Sequence, residues 1–455
     1  MAGEPASPTD ARRDEESFVP ALGRYFPESL VNALLLAIVA LLVTIPFLEP
    51  MTQLELLSTG FFDLFSVQML LILYWVLGAS VVESPRVGVI FDRIAALVPT
   101  SQAGIVYTTA FVSLLFGWFN WALGLIGGVL IGQRLCRRAG ENGTAVHYPA
   151  VLMGGLLALV VMNQGLSSPG GLMMADESGL ANVLVDDVGS IAMGEFVLHP
   201  VNLLSSALLL VTLPLVLVLL APSSDDVRPL ERRDSVLEGS IAETFDHYAP
   251  AVPRADWELG DRLENSEVIT MIAVVIGVIS FGWYYATGGD LTLPWLLFTL
   301  MILGLLTQGP PMAFRQKTEE STRWATHVAI PFLLYAAVWA LLGEANLYGT
   351  IGDAIAGTGL PAVVSYVVAF VLGLFVPDPG SLWVLQGPAV AAAEVDLVPS
   401  LIATMYGAGV SNLWLAFLFA SVLSLRGFDW REFVRYAAVV TVYVTVVVVG
   451  LLVVV

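Results

Sequence analysis

One stretch limits the possible folds more than any other. Between two strongly apolar segments the chain reads Phe375-Val376-Pro377-Asp378-Pro379-Gly380-Ser381-Leu382-Trp383-Val384-Leu385-Gln386-Gly387-Pro388. A continuous helix cannot cross Pro377 to Gly380, because each proline lacks an N–H and crowds the turn before it. Inside a bilayer, such broken backbone survives only where protein or a water-filled cavity satisfies it. Broken apolar segments mark solute sites in membrane carriers. The stretch therefore predicts a helical hairpin with a binding site at its tip.

The bilayer setting follows from composition. Of 455 residues, 57% are hydrophobic and only 13% charged, about half the charged share of a soluble protein. Several apolar runs approach the roughly 20 residues needed to cross a membrane. The expectation is an all-α polytopic membrane protein with about nine spanning helices plus two opposed re-entrant hairpins in an inverted repeat. Residues 1–27 form an acidic polar tail without the basic start or cleavage site of a signal peptide. The run 29–48 then reads as a retained first helix. Asp and Glu number 39 against 19 Lys and Arg, and Lys317 is the only lysine, a pattern suited to a high-salt cytoplasm. The lone Cys136 excludes an internal disulfide. His147, His199, His247 and His327 show no metal-ligand spacing. Phosphate-loop, Gly-x-Ser-x-Gly and His-Glu-x-x-His motifs are missing, so neither ATP-driven transport nor enzymatic chemistry is expected.

Basic residues orient the chain. Arg12, Arg13 and Arg24 place the N-terminus in the cytoplasm. Arg86, Arg93, Arg134, Arg137, Arg138, the set from Arg228 to Arg262, Arg315, Lys317, Arg323, Arg426, Arg431 and Arg435 share that side. Connections near 49–63, 165–196, 287–290, 343–358 and 395–399 hold no Lys or Arg, and the C-terminus falls outside. By this parity the hairpin at 101–138 enters and returns from inside, on arms of roughly 16 residues. The hairpin at 359–395 enters and returns from outside. Spans are expected near 29–48, 64–83, 148–164, 197–221, 266–286, 291–307, 325–342, 400–424 and 436–455. The first repeat covers 28–221, a loosely ordered polar cytoplasmic loop 222–265, an inverting span 266–290, and the second repeat 291–455. Ala110-Phe111-Val112 with Leu115-Phe116 matches Ala369-Phe370-Val371 with Leu374-Phe375 just before each tip. Pro310 to Trp324 reads as a surface helix.

Candidate site residues cluster at the tips and in the spans that follow. Asn120 and Trp121 lie at the first tip; Ser381, Trp383 and Gln386 at the second. Asn163 and Ser167 belong to the Gly/Ser-rich break after the first hairpin. Asn412 belongs to Tyr406–Asn412, which is expected to unwind like that break. Asp378 and Ser411 are candidates for a coupling cation, H+ or Na+. Asp378 before Pro379 also has the form of a helix N-cap. Helix N-termini offer unpaired N–H groups to an anion. With no Lys or Arg in the spans, a small monocarboxylate suits this site better than a dicarboxylate.

Two segments resemble the short-chain fatty acid transporter family. Phe119-Asn120-Trp121-Ala122-Leu123-Gly124-Leu125 is similar to its Ile-Asn-Trp-Gly-Phe-Gly-Leu motif. Trp383-Val384-Leu385-Gln386-Gly387-Pro388 is similar to its Trp-Val-Ile-Gln-Gly-Pro, and Tyr406-Gly407 and Asn412 match the following span. Pro377-Asp378-Pro379-Gly380-Ser381-Leu382-Trp383 departs from its Pro-Ser-Gly-Gly-Gly-His-Trp. The resemblance implies a cation-coupled symporter for short-chain fatty acids in the cell membrane; a carrier of dicarboxylates or other organic anions is the alternative. No cofactor and no nucleic acid are expected. The partners are a small organic anion and membrane lipid, with a homo-oligomer an open option.

Overall fold

The computed structural model describes residues 27–222, 226–416 and 430–454. The acidic tail, Arg12, Arg13, Arg24, Arg426 and the end of the expected span 400–424 lie outside these. All regular structure among the described residues is helical. In chain order the main helices are α1 (Ser29–Thr44), α2 (Pro50–Asp63), α3 (Phe65–Val82), α4 (Pro85–Leu97), α5 (Gln102–Phe119), α6 (Trp121–Glu141), α7 (Tyr148–Leu156) and α8 (Pro200–Leu220). They continue with α9 (Glu267–Ala286), α10 (Leu293–Gln308), α11 (Pro311–Ser321), α12 (Pro331–Glu344), α13 (Leu347–Gly357), α14 (Pro361–Gly373), α15 (Pro379–Ala392), α16 (Leu397–Trp414) and α17 (Trp430–Val454).

Among the described residues, six helices are long and apolar enough to cross a membrane: α3, α5, α8, α9, the run Pro311–Glu344, and Arg431–Val454 within α17. Four shorter apolar helices accompany them. This is a polytopic membrane protein. Burial separates centre from rim: 67% of the apolar window of α3 is covered by protein, against 17% for α9. α3 is thus the axis of the bundle, while α9 turns Ile272, Ile276 and Ile279 outward, as a lipid-facing helix must.

Both interruptions in the hairpins are present. The first is the single residue Asn120, in extended conformation between α5 and α6. The second is the five-residue link Leu374–Asp378 between α14 and α15. The arms of the first hairpin are longer than expected, 18 and 21 residues, because helix persists up to Asn120 with no proline to stop it earlier.

Two expectations are corrected. The span at Tyr406–Asn412 does not unwind; α16 is continuous through it. Its glycines serve close packing instead: a Cβ on Gly409 would stand 2.6 Å from Val160 O, and one on Gly407 2.4 Å from Tyr366 O. The loop 222–265 is not loose throughout. Ser240 and Glu243 form a capping box for the helix Ile241–Phe245, and the Asp92 carboxylate accepts from the Ile241 and Ala242 N–H groups. Leu237 and Ile241, four apart, bury together, which ties the segment to α4. α11 packs the face of Ala313, Lys317 and Ser321 against the protein and leaves Arg315 and Glu319 exposed, while Trp324 beyond it is 1% exposed.

Candidate functional site

The first tip docks against the break that follows α7, a turn over residues 162–168 between Ala158–Val161 and the short helix Pro169–Met174. Asn120 Oδ1 accepts from the Ala122 and Leu123 N–H groups at 3.0 and 3.2 Å and so begins α6. The Trp121 N–H donates to Ser167 Oγ at 3.1 Å, and the Leu166 N–H to the Trp118 carbonyl at 3.0 Å. Tyr74, on α3, donates its hydroxyl to the Ser167 carbonyl at 2.8 Å.

The second tip is organised by Asp378, which is fully buried. Its Oδ2 accepts from the Ser381 N–H (2.6 Å) and the Ser381 hydroxyl (2.7 Å), the N-cap geometry of α15. Its Oδ1 accepts from Trp75 Nε1 at 2.9 Å. Tyr335 donates to the Phe375 carbonyl at 3.1 Å. Three donors on one carboxylate offset its removal from water.

The remaining candidates share an unusual property. Neither amide atom of Asn163 has a hydrogen-bond partner in the protein, nor does Asn412 Nδ2, Trp121 Nε1, Trp383 Nε1 or Gln386 Oε1. Gln386 uses only its donor side, to the Ser365 carbonyl (2.9 Å) and Thr404 Oγ1 (3.1 Å). Buried polar groups left unpaired cost about 1–3 kcal/mol each, and five of the side chains that carry such atoms among the described residues are candidates from the sequence. The broken span and α16 cross where Gly409 meets Val160, and Asn163 and Asn412 each lie about one helical turn past that crossing.

Not every candidate joins the group. Asn120 spends its acceptor on the cap. Ser411 donates to the Ala408 carbonyl at 2.8 Å and packs against Gly373, and no bond links it to Asp378. Sequence reasoning also missed residues. Gln164 is as unpaired as Asn163, and its carbonyl accepts from Asn202 at 2.8 Å. Trp75 touches both tips, with its ring 4.3 Å from Trp121 and 4.7 Å from His327. A mid-span Tyr-Trp pair looks like ordinary core filling, so only the fold exposes its place.

Two further features border this centre. Glu83, 3% exposed at the end of α3, accepts from Arg323 through both carboxylate oxygens (2.8 and 2.7 Å) and from Trp324 Nε1 (2.9 Å). A cavity of about 830 Å³ runs between α2, α12, α13 and the end of α15. Asp63, Asp187, Glu344 and Glu394 line it, and it has no Lys, Arg or His on its wall.

Comparison with known proteins agrees with this architecture. A protein of Escherichia coli K12 named as a candidate short-chain fatty acid transporter is 24% identical over 426 residues, covering 91% of this chain and 93% of its own. A Haemophilus influenzae protein of the same name is 22% identical over 437 residues, covering 93% and 95%. The family described as Short chain fatty acid transporter matches residues 12–455, so this chain belongs to the short-chain fatty acid transporter family.

Proposed function

We propose that the protein is a cation-coupled symporter that carries short-chain fatty acids across the cell membrane, taking the substrate carboxylate between the two hairpin tips. The observation that carries this reading is the set of buried, unpaired polar groups on Asn163, Gln164, Trp121, Trp383 and Asn412. The amides and indoles supply N–H donors, which suit a single carboxylate, while the tryptophan faces suit a short hydrocarbon tail. A second carboxylate would call for a fixed cation, and none of the candidate residues is Lys or Arg. Asp378 is the coupling group: one negative charge in the protein interior, set among polar donors, is what a proton or sodium ion would neutralise as the anionic substrate enters.

In this reading the order of elements forms an inverted repeat. α1, α2, α3, α4 and the first hairpin correspond to α10, α11, α12, α13 and the second, and α9 is the odd span that reverses the second copy. The hairpins then face each other from opposite leaflets, with the N-terminus cytoplasmic and the C-terminus outside. Substrate reaches the tips alternately from each side.

The test is uptake of labelled butyrate into proteoliposomes, competed by acetate, succinate and citrate, under separate proton and sodium gradients. Accumulation driven by one gradient and blocked by short monocarboxylates is expected. Competition by succinate alone would move the substrate class to dicarboxylates, and passive flux without counterflow would make the protein a channel.

A further inference from the structure

A line of buried tryptophans joins the two tips. Trp75 donates its indole N–H to Asp378 Oδ1 and lays its ring 4.3 Å from Trp121, inclined by 59°. The backbone N–H of Trp121 is bonded to Ser167 at the first tip. Its ring lies 5.4 Å from that of Trp324, which holds Glu83. Trp75, Trp121 and Trp324 are each 1% exposed or less.

We propose that Trp75 is a positioning residue that makes the tips act as one unit, so that neutralising Asp378 at the second tip moves Trp121 at the first. The proposal rests on the transport reading above and adds a residue to it. An ionised carboxylate is a far stronger acceptor than a neutral one. When Asp378 takes up a cation, the indole loses the charge-assisted bond that fixes its rotation. A ring as large as indole cannot turn in a close-packed interior without displacing what it touches, and among the rings around it Trp121 lies nearest, at 4.3 Å against 4.7 Å for His327. The next side chain on α3, Tyr74, grips the Ser167 carbonyl at the first tip, so one turn of α3 reaches both. The titratable groups facing Asp378 are Tyr74 from α3, His327 from the segment Thr326–Ala329 and Tyr335 from α12. All three stay in place in the variants below, so any difference among those variants belongs to the tryptophans.

The test is a double-mutant cycle read at the far tip. Phe119, 48% exposed beside Asn120, is replaced by cysteine in full-length protein carrying Cys136→Ala. Its rate of maleimide labelling is then measured in proteoliposomes. Asp378→Asn imitates the neutralised carboxyl. With Trp75 present it should change labelling at position 119 by about threefold or more; with Trp75→Phe, which keeps a ring and removes the donor, by less than about 1.5-fold. Trp121→Leu breaks the bridge at its other end, leaves the Trp75–Asp378 bond, and should be equally silent. Melting curves identify the variants that fold. An Asp378→Asn response that persists in any folded variant overturns the proposal, as does the lack of a response with both tryptophans intact. Butyrate uptake by the parent protein is measured alongside. An intact cycle without uptake supports the bridge and removes the transport reading; uptake without a cycle does the reverse.

Discussion

Both hairpins break the backbone and restart a helix, yet they use different materials. The first tip is capped by the carboxamide of Asn120 and docked by Leu166 N–H to Trp118 C=O and Trp121 N–H to Ser167 Oγ, all groups without charge. The second is capped by the carboxylate of Asp378 and held by side chains from distant helices, Trp75 and Tyr335. A carboxamide has one charge state and a carboxylate two. Main-chain bonds ignore the ions around them, whereas bonds to a carboxylate change strength when it is neutralised. On the proposed coupling, the contrast gives fixed geometry to the first tip and responsiveness to the second.

The strongest way to break that contrast is to remove both caps. Asp378→Ala removes the acceptor shared by the Trp75 indole and both Ser381 donors, and should cost roughly 3–5 kcal/mol in denaturant unfolding. Asn120→Ala should cost about 1 kcal/mol, the usual value for a lost neutral cap; equal losses would make the tips equivalent. The docking is tested next. A Cβ on Gly165 would lie 1.6 Å from the Trp118 carbonyl oxygen, which is backbone, while one on Gly373 would lie 2.1 Å from Ser411 Oγ, which can rotate away, and 2.9 Å from Ser411 Cβ, which has to shift. Gly165→Ala should therefore lower stability by about 2–3 kcal/mol and Gly373→Ala by about 1–2, and the reverse order would put the rigid dock at the second tip.

The smallest effect is a control on acid sensitivity. His147 is buried beside Arg228, Asp226, Glu432 and Arg435. Burial first, and the Arg228 charge second, push its pKa down to about 4. Its neutral form is kept in the folded state, so the unfolded chain binds an extra proton between about pH 6.5 and 4. Stability should fall across that window and stay level above it. His147→Gln should flatten that part of the curve in melting measurements.

The prolines and glycines around Asp378 make the second break legible in the sequence, because no helix passes through Pro377-Asp378-Pro379. Asn120 disclosed the first only through its place between two apolar arms and the family motif. Periodicity failed at α16: Gly407 and Gly409 look alike whether a helix unwinds or another backbone presses against it, and only the position of Val160 and Tyr366 decides. Trp75 and His327 were illegible for a related reason. Their meaning lies in partners some 250 to 300 residues away or in a separate helix, and no local spacing records that. The docking of Ile241 on Asp92 escaped for the same cause.

The fastening of α3 at Glu83 has a mechanical consequence. Arg323 and Trp324 clasp one end of the rod, and Trp75 sits about 12 Å along it, at 1.5 Å per residue. Gln68, near the other end, donates to the Ala329 carbonyl at 2.6 Å, so the rod is held on both sides of the indole, and a tilt large enough to part Trp75 from Asp378 has to break one of these fastenings.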